Sequence, residues 1–325
     1  MYLITGCAGF IGFHMCQYLL KKKLNVIGID SLNQYYSKKL KLDRLSLLKK
    51  YKTFKFNNIN LCDKKKLELI LGKTEDLKII HFAAQPGVIY SYKNPKSYYE
   101  NNIMATKNLV EISKKIKILQ FLFISSSSVY GNKKKYPIKE NTKLIPINYY
   151  AKTKIECEKI VHKNFKNANH STKILRPFTV YGPFGRPDML ILKMLTFIKK
   201  NKEIGIYNFG NYLRDFTYVE DVVEILFKLS LKKNLRIKTF NICASKPIKI
   251  NDVLILVKKF LKKSFKIKYF PKRKGEMLIT YGSNKNLLRF IKFRKFTTFN
   301  IGLKKTINWY KKYSHKNYLE LHKWI

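Results

Sequence analysis

The sequence predicts an α/β fold, a doubly wound parallel sheet followed by a smaller, discontinuous C-terminal lobe. Short apolar runs (YLIT, NVIGI ending at Asp30, FKFNNI, KIIHFAA, ILQFLFISS) alternate with stretches of helical periodicity such as FIGFHMCQYLLKK and PKSYYENNIMATKNLVEISKKI. Strands separated by helices make a parallel sheet covered on both faces. Between the first strand and the first helix, TGCAGFIG places Gly6, Gly9 and Gly12 three residues apart. After TKILRP the alternation gives way to turn-rich FTVYGPFGRPD, a helix MLILKMLTFIKK, then IYNFG and RDFTYVEDVVEILFKLSL. KTFNICA reads as the last core strand, and residues beyond about 245 as two or three shorter elements ending in IGLKKTINWYKKY. The expected division is residues 1–176 plus about 217–244 for the sheet domain, and about 177–216 with 245–325 for the second lobe.

With 325 residues, 46% of them hydrophobic, the chain can bury a full core. No apolar run approaches the ~20 residues needed to cross a bilayer. MYLITG already reads as the first strand, so the expectation is a cytoplasmic protein without leader, anchor or membrane partner. The five cysteines are odd in number and lack C-x-x-C spacing, which argues against a disulfide framework and against a metal site. A net charge of +47 suggests a nucleic-acid partner at first sight. The lysines are spread over the whole length, however, with no basic tail and no stripe interleaved with aromatics. They read as a solvated surface whose field draws in a dianionic substrate, with no nucleic-acid partner expected. Only eight of the 67 basic residues are arginine. In so lysine-rich a chain, an arginine marks a place where a planar, bidentate fork is needed.

The glycines of TGCAGFIG let backbone amides at a helix N-terminus approach a pyrophosphate, as in a Rossmann-type dinucleotide site. Asp30 closes the second strand, where a carboxylate accepts from both ribose hydroxyls and repels a 2′-phosphate, favouring NAD over NADP. HFAAQPG brings the small Ala83 and Ala84 to where a ribose packs. Asn101 and Asn102 follow in a helix, and their polar side chains suit either cofactor contact or a backbone distortion.

Tyr-x-x-x-Lys occurs seven times, and the copy at Tyr150 stands apart. It follows a strand-like run ending in Ser125, Ser126, Ser127 and Ser128, and it opens the helical YAKTKIECEKIVHKNF. A tyrosine in water titrates near pH ~10, and a base of this type needs an ammonium and a cationic nicotinamide ring beside it to favour the phenolate. Lys154 stands one helical turn from Tyr150, and Ser126 is placed to hydrogen-bond the same substrate oxygen.

These motifs resemble the extended short-chain dehydrogenase/reductase family. HFAAQPGVIYSYKNP, SSSSVYG, RPFTVYGPFGRPDM, RDFTYVEDVVE and GLKKTINWYKKY extend the likeness, over nearly the whole chain, to its UDP-glucuronate 4-epimerases. The resemblance implies NAD as cofactor and a UDP-sugar as substrate. It makes Tyr150 the proton acceptor with Lys154 as its partner, and Ser126 the catalytic hydroxyl with Ser127 as the neighbouring register. It extends the cofactor contacts to Phe10, Ile11, Asn33, Leu61 and Gln85. Arg214 and Arg273 would pair the diphosphate, Tyr207 would lie against the uracil, and Thr179 and Arg186 would hold the sugar carboxylate with Ser127 or Ser128. A homodimer through the helices after Pro95 and around Tyr150 is implied as well, and a product used in polysaccharide synthesis.

The implied reaction passes through a 4-keto sugar that, in a glucuronate, is a β-keto acid prone to lose carbon dioxide. Related decarboxylases and dehydratases carry acidic residues just after the catalytic hydroxyl, where this chain has Ser127 and Ser128, which favours epimerisation. Two departures from the epimerase pattern stand out: Ile89 replaces an arginine near the sugar pocket, and Asn60 replaces an aspartate near the adenine. The alternatives are a UDP-glucose 4-epimerase and, in a different class, a non-catalytic nucleotide-sensing or nucleic-acid-binding Rossmann protein.

Overall fold

Strands buried on both faces need apolar residues throughout, and the first run meets that demand with Leu3 and Ile4 both fully buried. It forms β1 (Tyr2–Thr5) of a seven-stranded sheet with β2 (Val26–Asp30), β3 (Phe54–Asn58), β4 (Leu77–His81), β5 (Ile118–Ile124), β6 (Ser171–Pro177) and a late strand, Lys238–Ile242. The order is Lys238–Ile242, β6, β5, β4, β1, β2, β3, and every pairing is parallel. The chain winds outward from β1 in both directions, so a ligand crevice opens at the carboxyl ends of β1 and β4. This computed structural model describes residues 1–72, 74–234 and 236–313. Residues 314–325 of the expected second lobe lie outside the described residues.

The helices of the first half are α1 (Phe10–Lys21), α2 (Lys38–Leu48), α3 (Lys64–Leu71), α4 (Tyr90–Lys93), α5 (Pro95–Tyr98), α6 (Ala105–Ser113) and α7 (Tyr149–Phe165). The long helix expected from Pro95 onward forms as a continuous run to Ser113, widened by a π-helical turn along its length. Asn94 caps a fresh start by accepting from the amide of Ser97, with Pro95 in the first turn. Tyr99–Met104 is then π-helical before α6 begins. The wide turn brings the Asn102 side chain onto Gln85 and Thr153. Neighbouring segments thus capture polar groups that a regular helix leaves elsewhere.

After β6 come β7 (Thr179–Tyr181), α8 (Leu190–Lys199), β8 (Ile204–Tyr207), β9 (Leu213–Tyr218) and α9 (Val219–Leu231), and Lys238–Ile242 is β10. FTVYG is therefore partly a strand, with β7 pairing in parallel with β9. Beyond residue 245 the described residues form six elements where two or three were expected: β11 (Pro247–Lys249), α10 (Ile250–Leu261), β12 (Ile267–Phe270), β13 (Ile279–Thr280), α11 (Lys285–Phe290) and α12 (Phe299–Tyr313). The strands among them are too short to show a period of two, and pairing with β8 and β9 defines them. One apolar core continues from the sheet into this region, with Phe184 lying 5.0 Å from the Phe13 ring and 4.8 Å from Trp309. Among the described residues, no helix is long and apolar enough to cross a membrane.

His14 of α1 is buried and bonded through Nε2 to the carbonyl of Pro183 at 2.8 Å, with burial lowering its pKa to about 4. It is neutral at pH 7, so Nε2–H donates. An unfolded chain takes up this proton near pH ~6.5. The stability due to His14 is therefore present above that pH and is lost as pH falls from about 6.5 to 4. The loss amounts to about 3 kcal/mol. His81, buried between Thr5 and Thr106 and lowered to about 3, extends the loss further into acid. Urea midpoints measured from pH 7 to 4 should fall steeply for the native chain and less steeply for His14→Gln.

Candidate active site

The turn after β1 owes its shape to Gly6, whose φ of +72° suits glycine. A Cβ on Gly12 would come within 2.2 Å of the Gly6 carbonyl, so α1 starts close against the loop only because glycine stands at both positions. The cradle fits a pyrophosphate against the N-terminus of α1. Gly6, Gly9, Phe10, Ile11 and Gly12 line a cleft of about 290 Å³ together with Asp30, Asn33, Leu61, Ala83, Ala84, Asn101, Ser126, Tyr150, Lys154 and Arg186.

Each Asp30 oxygen accepts one backbone amide, Oδ2 from Ala8 at 3.0 Å and Oδ1 from Leu32 at 2.8 Å. This fixes the carboxylate and leaves lone pairs for ribose hydroxyls. The Asn60 side chain accepts from the amide of Cys62 at 2.9 Å. It makes the turn that an aspartate would make at this departure. Gln85 is buried and lines an adjoining recess, where its Oε1 lies 3.5 Å from the Asn33 amide. Of the two asparagines, Asn101 lines the cleft with its amide on the Ser97 carbonyl, whereas Asn102 is buried and structural.

Lys154 is 4% exposed and donates to the Ile124 carbonyl at 2.9 Å, which anchors it at the end of β5. Tyr150 meets Tyr98 edge-on at 6.2 Å between ring centroids. Ser126 has extended backbone, and its hydroxyl lies 3.0 Å from that of Ser128. Ser127 is buried and does not line the cleft, so the geometry favours Ser126 as the hydroxyl facing a substrate.

The end of β5 and α7 are tied together by a buried ion pair. Glu158, one turn beyond Lys154 on α7, takes two bonds from Arg176, at 2.9 and 2.6 Å, and one from the Ser125 hydroxyl at 2.5 Å. Arg176 also reaches the Tyr130 hydroxyl at 2.9 Å. The arginine of RPFTVYG thus serves the core and not a ligand.

Arg186 donates twice to Asp188, at 3.0 and 2.6 Å, and Asp188 also accepts from the Tyr35 hydroxyl at 3.2 Å. Burial would raise the Asp188 carboxyl, but the Arg186 charge and these bonds hold it below its usual range. Thr179 and Arg186 flank a small apolar cavity beside the cleft. Tyr207, Arg214 and Arg273 gather apart from the cleft lining. The Arg273 guanidinium lies 3.6 Å over the Tyr207 ring, and its backbone amide donates to the Tyr212 hydroxyl. Arg214 stacks over Tyr212 at 4.5 Å and donates to the carbonyls of Leu213 and Leu278. Ile89 stands outside the lining of the cleft.

Sequence reasoning passed over Lys41, Arg44 and Tyr35. Lys41 lines the cleft and bonds to the Asn33 carbonyl and side chain at 2.7 and 2.8 Å. Arg44 is fully buried, and its rarity as an arginine among lysines was the one available signal.

Residues 2–243 match the model of the NAD dependent epimerase/dehydratase family. The chain is 34% identical to a UDP-glucuronate 4-epimerase of Thermodesulfobacterium geofontis, covering 95% of this chain and 96% of that one. It superimposes with a TM-score of 0.89 on the Bacillus cereus UDP-glucuronic acid 4-epimerase solved with UDP-glucuronic acid and NAD, at 32% identity over 96% of this chain and 99% of that one. The Thermotoga maritima UDP-glucose 4-epimerase with UDP-glucose gives 0.87 at 26% identity, covering 96% and 98% of the two chains. With a glycine cradle, the Asp30 carboxylate and Ser126, Tyr150 and Lys154 around one cleft, the chain belongs to the NAD-dependent epimerase/dehydratase family.

Proposed function

We propose that the chain interconverts UDP-glucuronate and UDP-galacturonate by epimerisation at C4. The observation that carries this reading is the single cleft in which the dinucleotide cradle, Ser126, Tyr150, Lys154 and Arg186 meet. Bound NAD supplies a reversible acceptor for the C4 hydrogen. Tyr150 takes the proton of the C4 hydroxyl, Ser126 hydrogen-bonds the same oxygen, and Lys154, held on the Ile124 carbonyl, brings a positive charge to the same cleft.

The choice of a uronic acid rests on the cations. Of those lining the cleft, Arg186 offers a planar fork whose Nη1 and second Nη2 hydrogen stay available beyond its two bonds to Asp188, and these suit a sugar carboxylate. Ser127 and Ser128 follow the catalytic hydroxyl where an acid would promote chemistry at C5. A fixed arginine there keeps the carboxylate out of line with the 4-keto π system and suppresses loss of carbon dioxide. The relatives acting on UDP-glucuronate support the same substrate. Exposed Tyr92 and Tyr99, beside α5, support the dimer pairing expected of the family.

The test is incubation with NAD and UDP-glucuronate, with the products resolved. UDP-galacturonate is expected. UDP-xylose with carbon dioxide would overturn the epimerase reading, and turnover of UDP-glucose alone would move the assignment to the neutral-sugar epimerase.

A further inference from the structure

The arginine that faces the sugar is set in place from the cofactor side of the molecule. Its bonds to Asp188 use Nε and Nη2, so Nη1 and the second Nη2 hydrogen are left for a ligand. Asp188 is in turn held by Tyr35, five residues beyond Asp30. The Tyr35 ring lies 5.9 Å below the guanidinium and 5.3 Å from Tyr90. Gly87 passes so close that a Cβ there would meet the Tyr35 hydroxyl at 2.1 Å. Arg44 ties the same two segments together through the backbone. Its Nη1 reaches the Ala8 carbonyl of the glycine loop at 2.8 Å and the Tyr36 hydroxyl at 2.7 Å, and its Nη2 the Phe184 carbonyl at 2.5 Å.

We propose that Tyr35 and Asp188 are positioning residues that present Arg186 to the sugar carboxylate, so that preference for a uronate over a neutral sugar is set partly by the segment after β2. The inference rests on the UDP-glucuronate reading above and adds what orients the arginine. A guanidinium held along one edge by Asp188 and at one face by the Tyr35 ring loses little freedom when it meets a carboxylate. Cutting the Tyr35 bond lets Arg186 and Asp188 turn together, which weakens the hold on a carboxylate and leaves a hydroxymethyl group in that place unaffected.

The test is titration of NAD-loaded protein with UDP-glucuronate and with UDP-glucose, comparing the native chain with Tyr35→Phe and Asp188→Asn and checking each fold by thermal melting. Tyr35→Phe keeps the ring and its packing. It should weaken UDP-glucuronate binding about tenfold, as loss of a hydrogen bond to a charged group does, with UDP-glucose binding unchanged. In turnover the loss should fall on KM and leave kcat nearly intact. Equal losses for the two sugars, or none, would overturn the inference, as would a native chain that binds them equally. If the native chain prefers UDP-glucuronate but makes no UDP-galacturonate, the proposed function fails while the positioning role is still decided by the binding ratio.

Discussion

Replacing Tyr150 by phenylalanine lowers kcat for epimerisation by about 10²- to 10⁴-fold, the range of a positioned proton transfer. The phenylalanine ring should stay in place, because it keeps the edge-on packing against Tyr98. NAD and UDP-sugar affinities should therefore change little, and the loss appears in kcat and kcat/KM alike. Undiminished turnover in the Tyr150→Phe variant would remove Tyr150 from the chemistry and shift attention to Ser126 alone. Lys154 is separable by the same measurement. Lys154→Met leaves the Ile124 carbonyl at the end of β5 without its donor, so it should lower kcat and loosen the strand end together.

Removing the Glu158 carboxylate has the largest expected effect on stability. Glu158→Ala leaves Arg176 charged, almost completely buried and without its counter-ion, which costs about 3–5 kcal/mol. A urea titration reads this as a lowered midpoint. Replacing both partners, Glu158→Leu with Arg176→Met, should recover much of the loss, since no buried charge is then stranded. A single substitution costing under about 1 kcal/mol would mean that the pair contributes little. The change also reaches the active site, because Ser125 loses its acceptor and Ser126 is the next residue.

The parts of the site that were legible in the sequence are those where chemistry demands a residue type at fixed spacing. The cradle needs glycine at positions 6 and 12 because of a 2.2 Å approach, and the carboxylate expected at the end of β2 stands there as Asp30, in the cleft lining. Tyr150 and Lys154 are one helical turn apart whatever surrounds them. The arginine signal was only half informative. A fork that suits phosphate suits a buried glutamate equally, so Arg176 read as a motif residue and proved to be part of the core. Lys41 and Arg44 escaped notice because KKLKLDRLSLL carries little helical periodicity, Tyr35 because it precedes that helix in a loop, and their partners are 8 to 153 residues away in the chain. The elements beyond residue 245 were undercounted for a related reason. Two- and three-residue strands exist only through the neighbours they pair with.

The π-helical turn at Tyr99–Met104 gives the protein a counting constraint. A π-helical turn closes i to i+5 and so holds one residue more than an α-helical turn; losing one residue there would restore a regular helix and remove the widened turn. Asn102, which joins Gln85 to Thr153 from inside that turn, would then be carried off its partners, whereas Tyr98 ahead of it keeps its hydroxyl on the Pro86 and Gly87 carbonyls. In this stretch the number of residues is as much a part of the site as their identity, and a single deletion would disturb it more than most substitutions.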